Sequence, residues 1–227
     1  MPKKSPDPIT KEEIEAIMKA VSEDPNTERR HYYSLLFNLL RYTGRRLGEL
    51  YGVNMPKKVK VEKWTDENGV ERKRTIYKKS GEWMYGVKFS DVDEKNKYLY
   101  TMVLKKKQRI KKPAKLTEEL IRQIKDFKLT YKLKDDDYIF RNNKVARSYT
   151  ECQIMFKQYA KKAGITKKNL SIHSLRHYVI THLRKKGWSY EDIAKVTGHS
   201  TPSVIGIYDD STLADVENKL EEDFKDL

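Results

Sequence analysis

Residues 43–50 read Thr-Gly-Arg-Arg-Leu-Gly-Glu-Leu and follow a segment with clear helical periodicity. Gly44 is typical of the end of a helix, and the residues after it favour a second, short helix. On that helix Arg46 and Glu49 are three positions apart, so their side chains can pair. Two interpretations of Arg46 stay open: a surface arginine in an exposed ion pair, or an arginine that Glu49 holds rigid so that its fork faces a phosphate.

The segment before this turn, residues 9–42, predicts two helices. Thr10 and Glu13 form a capping box at the start of the first. The second follows Pro25-Asn26 and has a buried apolar face, which comprises Tyr32, Leu35, Leu36, Leu39 and Leu40.

The segment after the turn changes to strands. An Asn68-Gly69 pair between alternating stretches predicts a hairpin, with strands at 59–64 and 70–77 and with Trp64 as a packing anchor. Further strands are expected at 85–89 and 98–104, with 91–96 as their turn. A basic run at 105–112 then leads to Pro113.

From Thr117 the helical period returns, and the remaining chain reads as helices separated by 135–137, Gly164, Gly187 and Gly198. No repeat or long linker divides the chain. The sequence therefore predicts one domain over residues 1–227, mainly α with a small antiparallel β-sheet (α+β).

Composition points to a polyanionic partner. The chain of 227 residues has 48 Lys and Arg against 33 Asp and Glu, a formal net charge of +15. Nucleic acid is the expected partner, because Lys and Arg on phosphates release counterions. No apolar run is long enough for a membrane span, and no secretory signal is visible, so we expect a cytoplasmic protein associated with the nucleoid. The single cysteine, Cys152, excludes an intramolecular disulfide.

A second set of polar residues lies in the C-terminal half. The stretch 171–177 opens a helix and places His173 and Arg176 three positions apart, a pairing that suits a phosphoryl centre. His177 and His182 are expected to be partners within the core. A metal held by His173 and His177 lacks a clear third ligand, so no metal and no cofactor is expected.

Read in order, the motifs TGRRLGEL (43–50), HSLRHYVITHL (173–183), TGHS (197–200) and Ile207-Tyr208 resemble the catalytic domain of tyrosine recombinases, the phage integrase family. The resemblance covers about residue 8 to beyond Tyr208. It implies the fold of that catalytic domain and a reaction that cleaves and rejoins double-stranded DNA without metal or ATP.

By the same resemblance, six residues are catalytic: Arg46, Lys105, His173, Arg176, His199 and Tyr208, with Glu49 as support. Tyr208 matches the nucleophile that forms a 3′-phosphotyrosyl link. Lys105 is preferred as the catalytic lysine by its distance from Pro113, and Lys107 is the alternative.

Two segments depart from the family pattern. Residues 54–84 form an insertion whose basic hairpin is either an arm that contacts DNA or a solvated loop. The N-terminal core-binding domain of many members is expected to be absent. The residues expected to contact DNA are Lys57, Lys58, Lys60, Lys63, Arg72, Lys73, Arg74, Lys106, Lys107 and Arg109.

The tail, 209–227, is expected to form an acidic amphipathic helix. It either folds back on its own domain or docks on a neighbour in a tetramer on DNA, and the family favours docking. Two alternative functions remain: relaxation of DNA in the manner of type IB topoisomerases, and DNA binding without catalysis by a regulator of the same fold.

Overall fold

A computed structural model describes residues 7–102, 110–142, 144–145 and 147–199, and of residues 54–59 and 74–84 it describes the backbone only. The expected positions of Lys105, Lys106, Lys107, Arg109, Tyr208 and the tail helix 209–227 lie outside the described residues. So do the side chains of Lys57, Lys58 and Arg74.

The N-terminal part contains three helices: α1 (Lys11–Ser22), α2 (Thr27–Thr43) and α3 (Leu47–Tyr51). The capping box predicted for Thr10 and Glu13 is confirmed, and α2 ends at Gly44 in the left-handed conformation. All five apolar residues predicted for the buried face of α2 are buried. This helix is thus the central element against which the others pack.

A long antiparallel hairpin follows, formed by β1 (Val53–Thr65) and β2 (Glu71–Met84). The Asn68-Gly69 hairpin is confirmed, and its strands are longer than predicted. Asp66 orders the turn, because its Oδ1 accepts the N–H groups of Asn68 and Val70 at 3.0 Å each. Trp64 is 49% exposed, so its expected role as a packing anchor is wrong.

A three-stranded antiparallel sheet contains β3 (Val92–Asp93), β4 (Tyr98–Met102) and β5 (Lys111–Lys115) in the order β3-β4-β5. The strand predicted at 85–89 is wrong, because Tyr85 and Gly86 have positive φ and Phe89–Asp91 forms a 3₁₀ turn. Residues 92–93 fall in the predicted turn 91–96, but they form a short strand that pairs with β4. The end of the basic run is also a strand, with Lys112 opposite Thr101 and Pro113 opposite Tyr100.

The C-terminal part is helical, as predicted, with α4 (Glu118–Thr130), α5 (Tyr149–Lys162), α6 (Ser174–Lys185) and α7 (Tyr190–Thr197). Aromatic side chains from α2, α5 and the loop before α5 pack edge to face in one large core, among them Tyr32, Phe37, Phe140 and Phe156. The helix-rich fold with a small antiparallel sheet is the predicted class. It brings the ends of α2 and α7 against the first turns of α6.

Candidate active site

The turn between α2 and α3 fixes Arg46. This residue is the N-cap of α3, and Glu49 Oε2 accepts its backbone N–H at 3.0 Å while Oε1 accepts Nη1 at 3.0 Å. Glu49 is fully buried, and the Arg46 side chain is 16% exposed. The pair is therefore not an exposed surface ion pair. The ion pair holds the guanidinium rigidly, because Nη1 of Arg46 donates to Glu49.

Arg176 joins three segments that are far apart in the sequence. It lies in the first turn of α6 and is 1% exposed. Its Nη1 donates to the carbonyl oxygens of Gly44 at 2.6 Å and Thr197 at 2.7 Å, and its Nη2 lies 2.8–2.9 Å from the ring nitrogens of His199. One side chain thus links the Arg46 turn, α6 and the end of α7.

His199 is held by the C-terminal motif of α7. Gly198 ends the helix in the left-handed conformation, and the His199 N–H donates to Ala194 O at 2.9 Å. Thr197 Oγ1 donates to Ile193 O at 2.6 Å, so its oxygen accepts a hydrogen bond from His199 Nδ1 at 2.7 Å. These contacts hold the His199 ring between Thr197 and Arg176.

His173 lies at the N-cap of α6 and is partly exposed. Its carbonyl oxygen accepts the backbone N–H groups of Arg176 and His177 at 3.1 Å each, which places it one turn before Arg176. His177 is buried near Thr181 Oγ1, as expected of a core partner. His182 is exposed and stacks on Tyr178, so the core position expected for it is wrong.

Arg45 is a residue whose position the sequence did not reveal. It is fully buried, and its Nη2 donates to Pro113 O at 2.6 Å. Burial lowers the pKa of its guanidinium, Glu49 opposes that change, and Arg46 adds to it. Its partner lies 68 positions away in the chain, so no local pattern could have shown the contact.

The electrostatics of this site favour an anion. Arg45, Arg46 and Arg176 meet around residues 44–46, and Glu49 is the acidic side chain that balances them among the described contacts. The surplus positive charge and the guanidinium donors suit a tetrahedral oxyanion such as a phosphodiester. Among the described residues, His, Cys, Asp and Glu do not gather in a group of three that suits a metal ion.

The predicted site residues thus divide into three sets. The structure brings together Arg46 with Glu49, and Arg176 with His199, on either side of Gly44. It places His173 one turn from Arg176. Lys105 and Tyr208 are not described.

None of the helices in the described part of the chain has the length and apolar content that crossing a bilayer requires.

Solved structures of recombinases and integrases have a similar fold. XerA recombinase matches with a TM-score of 0.64 and 20% identity over 98% of this chain and 65% of that one. XerH bound to its palindromic difH substrate has a TM-score of 0.64 and 18% identity over 90% of this chain and 50% of that one. A lambda integrase tetramer bound to a Holliday junction has a TM-score of 0.59 and 18% identity over 92% of this chain and 49% of that one. The chain therefore spans about half to two thirds of the length of these proteins.

A search of curated proteins found no match. The sequence profile of the phage integrase family matches residues 83–214, which is more than half of the chain. The matched range includes five of the six catalytic candidates: Lys105, His173, Arg176, His199 and Tyr208. The fold, the guanidinium cluster and this match agree, and the chain belongs to the phage integrase family.

Proposed function

We propose that this chain is the catalytic domain of a site-specific DNA recombinase that cuts and rejoins DNA through a 3′-phosphotyrosyl link at Tyr208. The observation that carries the proposal is Arg176, which is buried and bonded to both Gly44 and Thr197 beside His199. The motifs at 43–50, 173–183 and 197–200 thereby meet beside Gly44, where positive charge is in excess. A phosphodiester is the component of DNA that such a position binds.

The proposed chemistry follows from the groups at this position. The Tyr208 hydroxyl oxygen attacks phosphorus, and the bond from phosphorus to the 5′-oxygen breaks. His173 or a phosphate oxygen takes the phenol proton, and Lys105 gives a proton to the leaving 5′-oxygen. Arg46, Arg176 and His199 stabilise the charge on the non-bridging oxygens. The new bond is again a phosphodiester, so a 5′-hydroxyl can reverse the step on the same or another strand without ATP.

The hairpin of β1 and β2 is proposed to contact the DNA backbone. Lys63 and Lys73 are exposed and directly opposite each other in the register. Like charges in that arrangement destabilise a hairpin, and a phosphate between them removes the repulsion. The other candidate contacts in the hairpin extend the same basic surface.

Assembly is proposed by analogy with the solved complexes. XerH was solved on its difH substrate, and lambda integrase as a tetramer on a Holliday junction. We propose that this chain likewise forms a tetramer on double-stranded DNA in the cytoplasm, linked through residues 209–227.

The test is a covalent complex. Nicked duplexes from a pool of candidate sites are incubated with the protein and a chelator, and a denaturing gel detects protein joined to DNA. The wild type and Tyr42→Phe, which alters an exposed tyrosine, should form the band, and Tyr208→Phe should bind DNA without forming it. A band that persists in Tyr208→Phe, or none in the wild type despite binding, contradicts the proposal. Relaxation of supercoiled DNA without strand exchange would indicate a topoisomerase instead.

A further inference from the structure

Among the described residues Arg45 is, like Arg176, one of the largest fully buried side chains, but unlike Arg176 it has no part in the proposed chemistry. Its Nη2 reaches the carbonyl oxygens of Pro113, at 2.6 Å, and Lys112, at 3.4 Å, in β5. The side chain therefore joins the Arg46 turn to the sheet.

The position of that contact is informative. β5 is an outer strand of its sheet, and Pro113 has no N–H to offer a neighbouring strand. The free edge of an outer strand needs covering. Arg45 donates to Pro113 O of this strand at 2.6 Å, where α7 also packs against β5.

A second contact fixes the start of β5. The Lys111 ammonium pairs with the buried carboxylate of Asp91, whose Oδ2 also accepts the N–H of Lys88 at 3.0 Å. β5 is thus attached at Lys111 by Asp91 and at Lys112 and Pro113 by Arg45. The chain between β4 and β5 carries Lys105, so both attachments lie at the base of the segment that supplies the proposed proton donor.

The charge of Arg45 shows that this contact is not incidental to packing. Its Nε and Nη1 are buried without a hydrogen-bond partner among the described residues, an arrangement that costs stability. An apolar side chain of similar length would fill the same space without that cost. The fork of an arginine is the feature that a bond to β5 requires.

We propose that Arg45 is a positioning residue, which ties β5 to the Arg46 turn and so sets the lysine of the β4–β5 connection relative to the phosphate held by Arg46 and Arg176. This inference rests on the proposed function. It adds Arg45, the residue before Arg46 in the motif TGRRLGEL, and assigns it an indirect role in protonation of the leaving group, through the lysine.

The first experiment needs no DNA. Hydrogen exchange is compared in the wild type, Arg45→Met and Tyr159→Phe, which loses a buried hydrogen bond to Asp24 in the packing of α1 and α5. Arg45→Met should speed exchange in peptides that cover β4 and β5, and Tyr159→Phe should not. Unchanged exchange in β4 and β5 overturns the proposal, whatever the DNA chemistry proves to be.

The second experiment separates positioning from general damage. A duplex that the wild type cleaves is prepared with sulfur in place of the bridging 5′-oxygen. A thiol has a pKa of about 8.5, far below that of a hydroxyl, so the sulfur leaves without a proton donor. Arg45→Met should slow cleavage of the oxygen duplex at least about tenfold and that of the sulfur duplex far less. The Lys105→Ala variant should show the same selective rescue.

The outcomes distinguish the two proposals. Equal losses on both duplexes mean that Arg45 is merely structural, and no loss on either means that it has no role, so either result overturns the inference. If the wild type cleaves neither duplex, the proposed function fails and the inference fails with it, even where hydrogen exchange shows that Arg45 holds β5.

Discussion

At the scale of single residues, Arg176 has the most demanding geometry, because its fork satisfies Gly44 O, Thr197 O and the His199 ring together. A lysine has a single ammonium and cannot reach all three. We therefore expect Arg176→Lys to form the covalent DNA complex at least about 100-fold more slowly, since each charged hydrogen bond lost costs about 1.5–3 kcal/mol.

The matched control is Arg184→Lys on the same helix, whose Nη1 donates to Trp188 O at 2.8 Å. It should cleave at close to the wild-type rate. Single-turnover rates at saturating protein measure both variants, with melting temperatures as a check on folding. Near wild-type cleavage by Arg176→Lys would contradict the assignment of this residue to the phosphate.

The sequence revealed residue contacts only where they are local. The pair of Arg46 and Glu49 was predictable because residues three apart on a helix are neighbours. The contact of Arg45 with Pro113 depends on how β5 meets the turn, and no pattern near Arg45 carries that information. The exposure of Trp64 was misjudged for the same reason, since an isolated hairpin offers a large side chain nothing to pack against.

At the scale of elements, the junction of α2 and α7 is closely packed at Gly44. Its φ is +61°, and a Cβ there would lie 2.9 Å from Thr197 Cγ2 and 3.3 Å from Val179 Cγ1. Gly164 has φ +77° with open space around it. Gly164→Ala should therefore cost only the left-handed penalty, about 1–2 kcal/mol. Gly44→Ala should cost about 1–3 kcal/mol more through overpacking.

Urea unfolding of both variants measures the difference. Gly44→Ala should also reduce cleavage, because Thr197 provides contacts to Arg176 and His199. Equal costs for the two substitutions would show that α2 and α7 are not packed as described.

The packing of α1 and α5 contains a titratable contact. Tyr159 Oη donates to Asp24 Oδ2 at 2.6 Å. Burial opposes ionisation of Asp24, but the hydrogen bonds from Tyr159 and the Asn26 N–H, with the charge of Arg29, hold its pKa below the ordinary value. A lowered pKa means that Asp24 stabilises the fold above about pH 4 and loses that contribution as the pH falls further.

Tyr159→Phe should lower the free energy of unfolding by about 1.5–3 kcal/mol at pH 7, and its deficit relative to the wild type should narrow as the pH falls below about 4. Tyr32→Phe is the control, because Tyr32 donates to a neutral acceptor, Phe140 O, at 2.8 Å. The loss in free energy of unfolding caused by Tyr32→Phe should not depend on pH in that range. Parallel profiles for the two variants would contradict the role of Asp24.

Helices were predicted better than strands for a physical reason. The cap at Thr10 and the apolar periodicity are local signals. The false strand at 85–89 has alternating apolar residues, but a Cβ at Gly86 would lie 2.8 Å from Tyr51 O, so the chain turns there with positive φ. Such an approach between distant segments leaves no signal in a short window of sequence.

At the scale of the whole molecule, the net charge of +15 is distributed over surfaces with different roles. The guanidinium cluster around Gly44 is buried and balanced in part by Glu49. The hairpin of β1 and β2 is exposed, and some of its charge is already paired, as in Arg72 with Asp66 at 2.8 Å. Charge alone therefore does not establish which surface contacts DNA. The salt dependence of the DNA-binding constant distinguishes the surfaces, because it reports how many phosphate contacts are made.

The last prediction concerns that surface. The variant Lys60→Gln/Lys63→Gln/Arg72→Gln/Lys73→Gln removes four exposed charges from the hairpin. The matched control removes four exposed charges from three helices and the turn after α4, as Lys11→Gln/Lys125→Gln/Lys132→Gln/Lys157→Gln. Affinity for a random duplex is measured by anisotropy over about 50–200 mM salt. If all four side chains contact phosphates of the DNA backbone, the slope of log K against log salt should fall in magnitude by about 3.6 in the hairpin variant, because each lost phosphate contact removes about 0.9. The control should change it by less than about 1, since charges away from the DNA release few counterions. Equal slopes in the two variants would mean that the hairpin is a solvated loop, and DNA binding would then rest on the guanidinium cluster and the segment between β4 and β5.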